Sequence, residues 1–122
     1  MAAQKKTLVI GASTNPNRYS YLAIDKLRQK GHPVVAIGQK EGQVFDIDIQ
    51  KGQPSLEEID TVTLYLNAKN QAEYQNYILK LHPKRIIFNP GAENDAFADE
   101  AERAGIKVLE ACTLVMLSTN QF

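Results

Sequence analysis

Two short loops in this chain carry the residue types that hold phosphate. The first reads Gly11-Ala12-Ser13-Thr14-Asn15-Pro16-Asn17-Arg18 and follows the apolar run Thr7-Leu8-Val9-Ile10. A glycine at a strand end lets backbone approach an anion. A helix starting just beyond it offers free N–H groups and a partial positive charge. Ser13 puts a hydroxyl where a dinucleotide fingerprint has its second glycine, and Arg18 adds a charged donor suited to phosphate. No Gly-Lys-Ser/Thr follows, so this is not a P-loop. An ordinary strand-to-helix turn capped by Ser13 or Asn15 accounts for the same residues equally well. The second loop, Ile37-Gly38-Gln39-Lys40, closes another apolar run. Nicotinamide dinucleotide sites place Asp or Glu there for the ribose 2′-hydroxyl. Lys40 instead suits a phosphate on the ribose, as in NADP or coenzyme A. The competing reading is a solvated lysine next to Glu41.

Other reactive groups sit less favourably. His32 and His82 each directly precede a proline at a helix end, which is the wrong end of a parallel sheet for chemistry; both read as surface turn residues. Tyr65-x-x-x-Lys69 has the spacing of a short-chain dehydrogenase pair, but that chemistry needs both residues on one helix turn. Here Tyr65 falls in a strand and Lys69 in the loop after it. Cys112 follows the last strand. A thiolate there would exchange with a ligand thiol if its pKa were lowered, against the plainer reading of a small buried hydrophobe. Glu93 is either a loop acid near the ligand or a helix N-terminal charge beside Asn94 and Asp95. Tyr19 and Tyr21 flank Ser20 on a first helical turn, where they either pack on a ligand or staple the helix to the sheet. No catalytic residue emerges.

The elements that position these groups follow from hydrophobic spacing. Strands are expected at 7–10, 33–37, 61–66, 85–89 and 106–109, each apolar or β-branched through most of its length. Helices are expected at 18–30, with Leu22, Ala23, Ile24 and Leu27 on one face, at 70–81, capped by Asn70, and at 95–104, closed by Gly105. Residues 39–54 are the least regular, with Val44, Ile47 and Ile49 forming a short irregular strand. Pro54-Ser55-Leu56-Glu57-Glu58 reads as a single helical turn with capping-box spacing. Leu114 to Leu117 makes a final short turn. Strands of this kind alternating with amphipathic helices predict an α/β fold. It is a three-layer, Rossmann-like, doubly wound and mainly parallel sheet of about five strands.

The chain has 122 residues, 43% of them apolar and 23% charged, which suits one domain spanning 1–122. One cysteine excludes an internal disulfide framework, and no apolar run is long enough to span a bilayer. Residues 1–6 show no secretory core, so a cytoplasmic location is expected. Net charge is zero but uneven: residues 1–40 hold seven Lys and Arg against one acid, and residues 41–122 hold seven against thirteen. Overall neutrality argues against nucleic acid as partner, while the basic front third would attract a small phosphorylated ligand.

Gly11-Ala12-Ser13, then Pro16, then Arg18-Tyr19-Ser20 resembles the opening of the small stand-alone CoA-binding-domain family, similar to the CoA-binding domain of the succinyl-CoA synthetase alpha subunit. The resemblance continues through Lys30-Gly31-His32, Pro54-Ser55-Leu56, Pro90-Gly91 with Glu93-Asn94, and Ala104-Gly105-Ile106-Lys107-Val108 followed by Cys112. It implies binding of coenzyme A or an acyl-CoA by a small module: a carrier, a sensor or a partner subunit. The pyrophosphate would lie against Ala12, Ser13 and the helix start, assisted by Arg18. The adenosine and its 3′-phosphate would lie near Gly38, Gln39 and Lys40. The pantetheine arm would run towards Asn67 and Pro90-Gly91. Related chains often carry Asn-Pro where this one has Gly38-Gln39-Lys40, and Gln-x-Gly where it has Asn89-Pro90-Gly91. The alternatives are an NADP-binding reductase and a protein-interaction domain with a decayed nucleotide site. A partner subunit or a homodimer through an exposed Leu114-Val115-Met116-Leu117 completes the expectations.

Overall fold

The computed structural model describes residues 3–122. Five strands lie parallel: β1 (Thr7–Ile10), β2 (Val34–Ile37), β5 (Thr61–Leu64), β6 (Arg85–Phe88) and β7 (Lys107–Glu110). Two more, β3 (Gly42–Val44) and β4 (Ile47–Gln50), form an antiparallel hairpin whose β4 pairs in parallel with β2. The order across the sheet is β3-β4-β2-β1-β5-β6-β7. The chain therefore builds outward from β1 on one side and then returns to build outward on the other. This places the topological switch between β1 and β5.

Helices cover both faces, which is why β1 and β5 are buried at every position. On one face, α1 (Tyr19–Gln29) and α5 (Thr113–Ser118) bury Ile24, Leu27 and Leu117 against Val9 and Ala36. On the other, α2 (Ala68–Gln71), α3 (Gln75–Leu81) and α4 (Asp95–Arg103) lie over the second core. There Tyr74, Ile78, Phe97 and Ala101 meet Leu8, Ile10, Ile86 and Phe88. The rings of Phe88 and Phe97 meet edge to face at 5.9 Å. Among the described residues, no helix is long and apolar enough to cross a membrane.

The α/β, doubly wound architecture matches the expectation, but the sheet has seven strands and not about five. The difference lies in residues 39–54. Val44 and Ile49 turn into the core while Gln43, Asp48 and Gln50 face water, the alternation of a one-sided ribbon. The hairpin is held from α1: Arg28 pairs with Asp46 and lies 4.8 Å over the Phe45 ring, which itself packs on Tyr21.

Pro54 to Glu58 forms no helical turn. Tertiary anchors hold it instead: Tyr77 Oη donates to the Pro54 carbonyl, Lys6 Nζ donates to the Glu57 carbonyl, and Glu58 takes a left-handed φ of 57°. The helix expected at 70–81 begins one turn earlier. Asn67 is its cap, accepting from Asn70 N–H at 2.9 Å, and a 3-10 turn over Ala72–Tyr74 interrupts it before α3. His82 is an exposed turn residue, as expected, but His32 is only 9% exposed. Its Nδ1 accepts the Lys5 N–H, and its ring packs on Phe122. Of Leu114 to Leu117 only Leu117 is buried, while Val115 is 55% exposed.

Candidate functional site

A cavity of about 710 Å³ opens along the carboxyl ends of β1, β2, β5 and β6, spanning the topological switch. Its lining includes Gly11, Ala12, Ser13, Arg18, Tyr19, Ser20, Gly38, Gln39, Lys40, Pro90 and Gly91. Pro16 and Asn67 do not line it: Pro16 lies exposed in the turn, and Asn67 is occupied as the α2 cap. Thr14, Tyr65, Leu66, Asn70, Glu73, Tyr74 and Ala92 complete the wall.

The β1–α1 loop is fixed by backbone contacts. Gly11 N–H and Ala12 N–H both donate to the Ile37 carbonyl, at 2.9 and 3.0 Å. Gly11 has φ +94°, and a Cβ there would sit 3.0 Å from the Tyr65 carbonyl carbon. Gly38 is more constrained still: a Cβ would lie 2.4 Å from the Ala12 carbonyl oxygen. Glycine at these two positions lets three strand ends converge beneath the cavity.

Neither Ser13 nor Asn15 caps α1. Ser13 Oγ accepts Asn15 N–H at 3.1 Å, and Asn15 Oδ1 accepts Asn17 N–H at 2.9 Å, so both side chains fold the loop on itself. Arg18 holds the cap position with no side-chain cap bond. Among the described residues, the N–H groups of Tyr19 and Ser20 have no protein acceptor, and both residues line the cavity. Arg18 and Lys40 are exposed and make no salt bridge among the described residues. Tyr19, 71% exposed, stands at the rim as a free aromatic face.

The opposite wall is pinned by two buried amides. Gln71 donates to the carbonyls of Leu66 and Ala92, at 2.8 and 2.6 Å, and accepts from Asn94 Nδ2. Asn89 donates to Thr63 Oγ1 and the Leu64 carbonyl, and accepts Thr113 N–H at 2.9 Å. These bonds lock the loops after β5, β6 and β7 together. The sequence points to Asn89 only as the start of the Asn89-Pro90-Gly91 loop and does not point to Gln71. The available signal was a polar side chain among apolar core positions.

Tyr65 forms part of the floor. Among the described residues its buried hydroxyl has no hydrogen-bond partner, and burial pushes its pKa up to about 12 against the smaller opposing effect of the Thr113 and Thr63 hydroxyls. Cys112 is half-buried at the start of α5 and does not line the cavity. Glu93 Oε1 accepts the Gly91 N–H at 2.9 Å, while Asn94 caps α4. The cavity thus joins free backbone donors and two unpaired cations on the β1–β2 side to a largely uncharged wall on the β5–β6 side. That arrangement suits an elongated ligand with an anionic end.

The family model described as "CoA binding domain" matches residues 5–118. No curated protein matches. Among solved structures, a crystal structure of an uncharacterized protein is 47% identical with a TM-score of 0.96, covering 99% of this chain and 100% of that one. A hypothetical protein from Pyrococcus horikoshii OT3 is 22% identical with a TM-score of 0.85, covering 95% of this chain and 83% of its own. A dinucleotide-forming acetyl-coenzyme A synthetase from Ca. Korarchaeum cryptofilum is 15% identical, with a TM-score of 0.68 over 88% of this chain and 26% of its own. The last two likenesses show a shared fold.

Proposed function

The chain belongs to the CoA binding domain family, and from that premise we propose that it binds coenzyme A or an acyl-CoA as a small single-domain module, without transforming it. The observation that carries this reading is the uncapped start of α1. Its free N–H groups at Tyr19 and Ser20 share one cavity with Arg18 and Lys40. The pyrophosphate lies on Ala12, Ser13 and the α1 start, with Arg18 as its charged partner. The adenosine 3′-phosphate lies by Lys40. The pantetheine arm runs past Tyr65 and Leu66 to the Pro90-Gly91 loop. A carrier, a sensor and a subunit handing CoA to a partner all use this binding mode.

Melting the protein with CoA, dephospho-CoA, NADP and NAD tests it. Ligand at a hundred times its dissociation constant stabilises by about 2.7 kcal/mol. A shift with CoA that shrinks with dephospho-CoA is expected. A shift with NADP alone would redirect the reading towards a reductase, and no shift with any of the four would remove it.

A further inference from the structure

Resting on the coenzyme A reading, we propose that Glu73 makes the cavity selective for free CoA and neutral acyl-CoA, and against acyl groups that end in a carboxylate. Three charged side chains line the cavity: Arg18, Lys40 and Glu73. The two cations belong to the loops after β1 and β2, whereas Glu73 belongs to the connection after β5. From β2 to β6 the sheet edge spans three strand spacings, roughly 14 Å. A ligand that lays its phosphates on the cations sends its thiol end along that edge to Glu73 and the loop after β6.

An added carboxylate meets no lining cation there, and its neutral polar neighbours are the Asn70 amide and the Tyr65 and Tyr74 phenols. Glu73 is exposed and, among the described residues, forms no ion pair, including with Lys69 one turn earlier. Pro90, Gly91 and Ala92 bring no cation, and their backbone donors are taken. Gly91 N–H goes to the Glu93 carboxylate, and Ala92 N–H goes to the Asn89 carbonyl at 2.8 Å. A second acid therefore stands behind the same loop. The negative field reaches inward too: the neighbouring Tyr74 phenol is raised by burial and, secondarily, by the Glu73 charge.

The test is calorimetric titration with free CoA, butyryl-CoA and succinyl-CoA, the last two matched in length and differing in the terminal carboxylate. Succinyl-CoA is expected to bind about fivefold or more weakly than butyryl-CoA at low salt, with the ratio narrowing at high salt because the pair is exposed. Glu73→Gln should bring the ratio towards one, and Glu73→Lys should invert it. A ratio near one in the parent protein, or one that Glu73→Gln leaves unmoved while free CoA still binds, overturns the selectivity. Loss of all three ligands in the parent protein would overturn the binding reading itself.

Discussion

The two ends of the parallel sheet both gather positive charge and treat it in opposite ways. At the amino-terminal edge, Lys5, His32 and Arg85 surround the Phe122 ring. Lys5 Nζ donates to the Phe122 carbonyl at 2.7 Å, and the Arg85 guanidinium lies 4.4 Å over that ring. Arg85 Nε donates to Thr61 Oγ1, and the Thr61 hydroxyl donates in turn to the Asp60 carboxylate. Burial, followed by the Arg85 charge, holds the Lys5 pKa below its usual value. At the carboxyl edge, Arg18 and Lys40 are exposed and, among the described residues, have no protein partner, beside backbone N–H groups that have none either. A cluster of cations therefore says little about ligands. What separates structure from site is whether the protein has engaged them: among the described residues Arg85 keeps Nη2 buried without a partner, yet its Nε is bonded to Thr61 and its face lies on the Phe122 ring.

The sharpest way to break the contrast is at the junction below the cavity. Gly38→Ala should destabilise the fold by about 3 kcal/mol, because its Cβ meets a backbone oxygen that cannot swing away. Chemical denaturation measures this, and a loss below 1 kcal/mol would show that the strand ends can part.

The two arginines form the next test. Arg85→Ala should cost about 2 kcal/mol of stability, through lost packing on Phe122 and the lost hydrogen bond to Thr61 Oγ1, while leaving CoA affinity intact. Arg18→Ala should do the reverse, weakening CoA binding by about 1–3 kcal/mol with an unchanged melting point. If both variants lose the same property, the division between the two edges is wrong.

Acid should loosen one edge and spare the other. The His32 pKa is lowered from 6.5 by burial first, then by the Lys5 and Arg85 charges, with Asp60 opposing. Its Nδ1 accepts the Lys5 N–H, which requires a neutral ring. The unfolded chain thus binds this proton at higher pH than the native one. The stabilisation is complete above pH 6.5 and is lost as pH falls from there through the lower native pKa. Denaturation midpoints between pH 7 and pH 5 should show the decline, and His32→Asn should flatten it.

The smallest effect belongs to Tyr65→Phe. Removing a buried hydroxyl with no partner should change stability by less than about 1 kcal/mol, in either direction. A larger loss would mean that the phenol is bonded to Thr63 or Thr113 in solution.

The five parallel strands and the long helices were legible because their apolar periodicity is continuous over enough residues to average out local preference. Both glycine-closed loops were legible for a related reason. Gly11 needs its positive φ and Gly38 needs its missing Cβ, and both needs write themselves as residue type. The hairpin was legible only as Val44, Ile47 and Ile49, since its strands of three and four residues alternate burial too briefly to give a period. Ser55 and Glu58 carry a helix signal that tertiary contacts override. Asn67 and Asn70 are equally good caps by type, and only the position of β5 decides between them. Gln71 and Asn89 act through contacts to residues 5 to 26 positions away, which no local pattern records.

The Ala12–Gly38 contact has a consequence for the timing of ligand exchange. The loops after β1 and β2 touch backbone to backbone, and those after β5, β6 and β7 are bolted by Gln71 and Asn89. The parts of the rim left free to swing are long side chains such as Arg18, Tyr19, Lys40 and Glu73. Entry then needs rotamer motion in nanoseconds and no opening of the backbone. The observed association rate should rise linearly with ligand concentration, with no plateau from a slower gate.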